Sequence, residues 1–165
     1  MKRQILILGL LILFNGAYAQ KVENEEFNAL LQSELKHNVP EIDINTLVLM
    51  DDFIFIDARS LEEFNASHIK GAIHIDFIGF ALDKLPKLSK KQVIVVYCSV
   101  GSRSERVTKI LIDNGFKQSF NLYGGLFEWS NRGLPLVDEN EQETIDIHGV
   151  TKDWSKWITR GNIVY

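Results

Sequence analysis

Cysteine is nearly absent from this chain: Cys98 is the single one among 165 residues. A lone cysteine excludes an internal disulfide, a Cys-x-x-Cys redox pair and any cysteine-rich metal cluster. Histidine is scarce too, and His37, His74 and His148 show no metal-ligand spacing, so neither a metal nor another cofactor is expected. Positive charge is in deficit, with 18 basic against 22 acidic side chains and a net charge of −4. Such a surface repels nucleic acid and anionic membrane, so neither is an expected partner. Apolar runs long enough to cross a bilayer, which takes roughly 20 residues, are lacking. With 45% hydrophobic residues, the length suffices for one domain with a substantial core and hardly for two.

The first nineteen residues stand apart. Lys2 and Arg3 make a basic start, Ile5 to Phe14 form an apolar run broken by Gly9, and Ala17-Tyr18-Ala19 fits a small-x-small cleavage pattern. This reads as a signal peptide cut before Gln20, giving a periplasmic or secreted protein without a stable membrane anchor. No cysteine follows the run to accept a lipid. Losing Lys2 and Arg3 leaves 16 basic side chains against 22 acidic ones, so the charge moves from −4 to −6. In an oxidising compartment an unpaired thiol is a hazard unless it is buried or used.

Residues 20–38 carry Phe27, Leu30, Leu31 and Leu35 at near-helical spacing, which predicts an amphipathic helix. A short edge strand is expected within 39–44, beside Pro40, and Asn45 is placed to cap a short helix through Met50. Phe53-Ile54-Phe55-Ile56 reads as a buried strand ending at Asp57-Ala58-Arg59, and Ser60 with Glu63 forms a capping box for a helix over 60–66. A third strand is expected over 71–75 and a helix over 77–85, with Phe80, Ala81 and Leu85 inward and Pro86 closing it.

Val93-Ile94-Val95-Val96-Tyr97, five β-favouring residues without a charge, suits a strand covered on both faces. The helix behind it should run over 102–113, with Val107, Ile110 and Leu111 on the core face, a Glu105–Lys109 pair outside, and Gly115 as its stop. Ser119 to Leu122 supplies a fifth strand, and Gly124-Gly125 turns into a short helix bearing Leu126, Phe127 and Trp129. Alternating strands and helices on short connections imply a parallel α/β sheet with helices on both faces. Past an acidic linker, Ile145, Ile147, Val150, Trp154, Trp157 and Ile158 are apolar enough to fold back as a C-terminal extension over 138–165, with Trp154 and Trp157 sharing a helical face. Core docking and a partner-binding patch are both open for it.

Cys98 lies at the carboxyl end of the charge-free strand, ahead of a Ser/Gly loop and a helix start. Backbone N–H groups and a helix N-terminus stabilise a thiolate there, which is a nucleophile's environment. Successive amides over 99–104 can curl round the sulfur, Gly101 permits the close turn, and Arg103 adds a fixed positive charge. The hydroxyls of Ser99, Ser102 and Ser104 can assist, with one of them capping the helix, and Val100 lines the rim. Arg59 has two readings: an attractor for an anionic donor, or a brace paired with Asp57 or Glu63. His68 reads as a hydrogen-bonder that fixes a loop. Asn65-Ala66-Ser67 fits a glycosylation acceptor.

Three blocks give 39–137 a family resemblance: Phe55-Ile56-Asp57-Ala58-Arg59 with Glu62-Glu63-Phe64; His68-Ile69-Lys70-Gly71-Ala72; and the stretch 97–104 with Gly115-Phe116 and Leu122-Tyr123-Gly124-Gly125-Leu126 to Trp129. In order and spacing this region resembles the rhodanese-like domain family. Ala58 departs from the β-branched residue common in the first block. The resemblance implies a three-layer α/β/α fold around a mainly parallel five-stranded sheet. It also implies a sulfurtransferase in which Cys98, assisted by Arg103, takes a sulfane sulfur from a small anion such as thiosulfate. The persulfide then passes that sulfur to cyanide or a thiol, a protein thiol included. Cys98 to Arg103 is Cys-x4-Arg, a tighter ring than the Cys-x5-Arg of phosphatases and arsenate reductases on related folds, and one sized for sulfur rather than a tetrahedral oxyanion. An interaction module with an incidental cysteine is the alternative. If the tail covers the loop, small donors enter and protein acceptors do not.

Overall fold

The structure is a computed structural model, described for residues 21–165; the expected signal peptide lies outside the described residues. Five parallel strands form the central sheet in the order β1-β5-β4-β2-β3. They are β1 (Glu41–Ile42), β2 (Phe53–Asp57), β3 (Ile73–His74), β4 (Val93–Tyr97) and β5 (Ser119–Leu122). The strand of five β-favouring residues, β4, is central, paired with β2 from Phe53↔Val93 to Asp57↔Tyr97 and with β5 on its other side.

Strand alternation builds the layers. Val95 and Tyr97 point into one apolar cluster, Ile94 and Val96 into the other. The first cluster takes Phe27 and Leu31 from α1 (Glu25–Glu34), Ile44 and Leu47 from α2 (Ile44–Leu47), and Leu126 and Phe127 from α5 (Gly125–Asn131). The second takes Val107 and Leu111 from α4 (Ser102–Asp113). Helix α3 (Leu61–Ala66) opens with the expected capping box of Ser60 and Glu63.

Several local expectations are corrected. Asp43, not Asn45, caps α2, accepting from the Thr46 N–H at 2.8 Å. No helix fills 77–85: Asp76 accepts the Ile78 N–H at 2.8 Å, Gly79 turns at φ +80°, and only a single 3₁₀ turn, Leu82–Lys84, follows. An Asx turn and a left-handed glycine compete with helix propagation and win over apolar spacing. On α4, Ile110 is 39% exposed. Glu105 is only 3% exposed, because its carboxylate accepts the N–H groups of Lys36 and Asn38 while Lys109 pairs with Asp113. Apolar spacing alone could not show that the segment following α1 covers this flank.

The tail folds back on the first cluster. An antiparallel pair, β6 (Leu136–Val137) with β7 (Glu143–Thr144), leads into a parallel pair, β8 (Asp146–His148) with β9 (Asn162–Val164), around α6 (Lys152–Ser155). Ile147 and Ile158 are buried, whereas Ile145 faces solvent. Trp154 and Trp157 do not share a helical face, since α6 ends at Ser155: Trp157 stacks on Phe27 at 5.5 Å, and Trp154 turns to the loop after β4.

Candidate active site

The Cys98 loop is a tight ring set between the end of β4 and the start of α4. Gly101 takes φ +122°, a conformation that favours glycine, and its N–H donates to Cys98 Sγ at 3.2 Å. Gly101 itself occupies the cap position of α4, and no side chain caps that helix. The expected serine cap is therefore corrected, and the hydroxyls of Ser99 and Ser104 are committed elsewhere. Ser104 Oγ lies 3.5 Å from Sγ, 3.1 Å from the Gly101 carbonyl and 2.7 Å from Asn121 Oδ1.

A second turn holds the ring from behind. The N–H groups of Leu126 and Phe127, opening α5, donate to the carbonyls of Cys98 and Ser99 at 2.9 and 3.0 Å. That approach is possible because Gly125, at φ +56°, has no side chain: a Cβ there would collide with the Cys98 carbonyl oxygen. The paired glycines after β5 thus fix the nucleophile loop.

Arg103 reaches Glu63 through two parallel bonds, Nη1 to Oε2 and Nη2 to Oε1, both 2.6 Å, and Nη2 also donates to Ser99 Oγ at 2.9 Å. Ser99 Oγ donates in turn to Glu63 Oε1 at 2.8 Å. Burial pushes the Glu63 carboxyl up, but Arg103, Ser99 and the Ser60 N–H outweigh it and bring the group down to about 2. Arg103, desolvated yet paired with Glu63 and facing Cys98, is held further above its ordinary value. Glu63 is one of the site residues that sequence reasoning missed, since its capping role hid a partnership spanning 40 positions.

Cys98 is 0% exposed. Burial raises its pKa, but Arg103, the Ser104 hydroxyl and the N–H groups of Ser104 and Gly101 together set it below the ordinary thiol value. It opens onto a cavity of about 150 Å³, lined also by Ser99, Val100, Ser102, Arg103 and, from the tail, Val150 and Trp154. A persulfide carrier needs this combination: a stabilised thiolate, donors around a second sulfur, and a small chamber.

Arg59 does not line that chamber. It is 1% exposed, its Nε and Nη2 grip Asp57 at 2.6–3.1 Å, and Nη2 also donates to the Ser67 carbonyl. A guanidinium so enclosed braces the segment between α3 and β3, which corrects its donor-attracting role. His68 stacks on Phe64 at 3.8 Å and contacts the Phe64 carbonyl and Glu141, a loop-fixing arrangement. Among the described residues no group of three acidic, cysteine or histidine side chains is placed to hold a metal.

Comparison with known proteins agrees with this architecture. A tRNA uridine(34) hydroxylase of Yersinia enterocolitica is 28% identical over 128 residues, 72% of this chain but 35% of that protein, so the chain spans about a third of the length of the curated relatives it matches. The solution structure of a rhodanese-like domain from Anabaena sp. superimposes with a TM-score of 0.54 at 25% identity, covering 60% of this chain and 79% of that one. A rhodanese-related protein of Thermoplasma volcanium has a TM-score of 0.53 at 24% identity over 61% of this chain and 99% of its own, a likeness of fold. Residues 28–132 match the family described as rhodanese-like domain, and with the five-stranded parallel sheet and the cysteine ring at the end of its central strand, the chain belongs to that family.

Proposed function

We propose that this protein is a sulfurtransferase in which Cys98 carries sulfane sulfur as a persulfide. The observation that carries the reading is the ring itself: a cysteine held below its ordinary pKa by Arg103 and loop donors, facing a cavity of about 150 Å³. The Cys98 thiolate attacks the outer sulfur of thiosulfate. The new S–S bond forms as the donor's S–S bond breaks, and sulfite departs with the electron pair. A thiolate or cyanide then attacks the terminal sulfur, and Cys98 leaves as thiolate. No external oxidant, reductant or cofactor enters the balance.

The protein's own groups do three things in this cycle. Gly101 N–H and Ser104 Oγ stabilise the attacking anion, and Arg103, fixed by Glu63 and Ser99, offers its guanidinium to the donor's oxygens. The Cys-x4-Arg spacing favours sulfur over phosphoryl chemistry. Hydroxylation of tRNA is the named activity of relatives of which this chain spans 35%, and a net charge of −4 gives no support to an RNA partner.

Incubation with thiosulfate followed by cyanide tests the reading. Thiocyanate should form with the wild type and not with Cys98→Ser. Export belongs to the same proposal, and N-terminal sequencing of the mature protein should begin at Gln20.

A further inference from the structure

Part of the lining of the Cys98 cavity comes from outside the family-matched segment. Residues 28–132 supply the ring, whereas Val150 and Trp154, which line the same cavity as Cys98 and Arg103, belong to the C-terminal extension. Val150 has φ +63°, a strained conformation for a β-branched residue. Strain of this kind persists only where the surroundings over-determine it, and it clusters at functional sites.

The surroundings here do so. The Val150 N–H donates to His148 Nδ1 at 3.1 Å, and Gly149 N–H to the Val164 carbonyl at 2.9 Å. Thr151 caps the turn that carries Trp154, accepting its N–H at 3.3 Å. Beyond it, Asn131 ties both the Trp157 carbonyl and the Thr159 N–H to α5, at 2.9 and 2.7 Å. The wall is thus built from a segment anchored on both sides of Trp154.

Its chemistry and size define what fits. A charged guanidinium, an apolar indole and an isopropyl group line one cavity of about 150 Å³, half of the roughly 300 Å³ at which pockets for drug-sized ligands begin. A small anion can present its oxygens to Arg103 and its soft sulfur to Cys98. An aryl group or a peptide on that sulfur meets Trp154. We infer that Val150 and Trp154 are specificity-determining residues that confine Cys98 to small sulfane donors and small acceptors and bar protein thiols.

This inference rests on the sulfur-transfer reading, and the two can be separated by experiment. Persulfide formation is measured with thiosulfate and with benzenethiosulfonate on the wild type, Val150→Gly and Trp154→Ala. The ratio of kcat/KM for the aryl donor over thiosulfate should rise at least tenfold in the variants; an unchanged ratio overturns the inference. Val150→Gly relaxes a strained residue, so it carries the test should Trp154→Ala unfold. Failure of every protein to gain sulfur from either donor would sink the sulfur-transfer reading instead. Access is then decided on the native thiol alone: methyl methanethiosulfonate should modify Cys98 while an aromatic disulfide lags at least tenfold, relative to free cysteine. Equal relative rates mean that no wall exists.

Discussion

Cys98 is pulled in opposite directions, by burial toward the thiol and by Arg103, Ser104 and the Gly101 amide toward the thiolate, and the donors prevail. Since the thiolate is the reactive form, modification by a small alkylating reagent should rise with pH through a midpoint below that of an ordinary thiol. In Arg103→Ala that midpoint should move up, as expected on losing an adjacent opposite charge. The pH profile of iodoacetamide reaction reads both. Glu63 gives a separate, stability-based check. Its folded-state value of about 2 lies below the ordinary 4.5, so the pairing contributes fully above pH 4.5 and is lost as pH falls toward 2. Glu63→Gln should therefore cost about 2 kcal/mol at neutral pH, less than the ~3–5 kcal/mol of a fully buried pair because Arg103 is 28% exposed. The difference from wild type should shrink as urea unfolding is repeated at lower pH.

At the scale of elements, the contact between the glycine turn and the cysteine ring is the critical one. Gly125→Ala drives a Cβ into the Cys98 and Ser99 backbone, whereas Gly71→Ala, at φ +77° with nothing within 4 Å, adds backbone strain alone. Denaturant midpoints should show Gly71→Ala costing about 1 kcal/mol and Gly125→Ala several times more, with loss of thiol reactivity. Elements with strong local signals were legible in the sequence: the charge-free β4, the Ser60–Glu63 capping box, and the stop at Gly115. What escaped depends on contacts distant in the chain. Glu105 reads as half of a surface pair until the segment following α1 lies over it, and Glu63 reads as a cap until Arg103 arrives from 40 residues away. The 77–85 segment failed for a local reason, since Asp76 and Gly79 form a turn that apolar spacing does not reveal.

Across the whole molecule, the tail unites stability with access to the site. It extends the first apolar cluster through Ile147, Ile158 and Trp157, and the same segment brings Trp154 into the lining of the nucleophile's cavity. Trp157→Ala, which removes the stack on Phe27, should cost about 2 kcal/mol in chemical denaturation, below the ~3–5 kcal/mol of a fully buried aromatic because Trp157 is only half-buried. Folding-back of the tail was legible from its apolar content, but its second role was not, because Trp154 and Val150, more than 50 residues from Cys98 in the chain, join its cavity from the turn and helix between β8 and β9. The most direct test of the central claim is intact-protein mass after incubation with thiosulfate. One added sulfur atom that cyanide or a reducing agent removes, and that Cys98→Ser lacks, is the predicted result. An unchanged mass with every sulfane donor tried, small ones included, would contradict it.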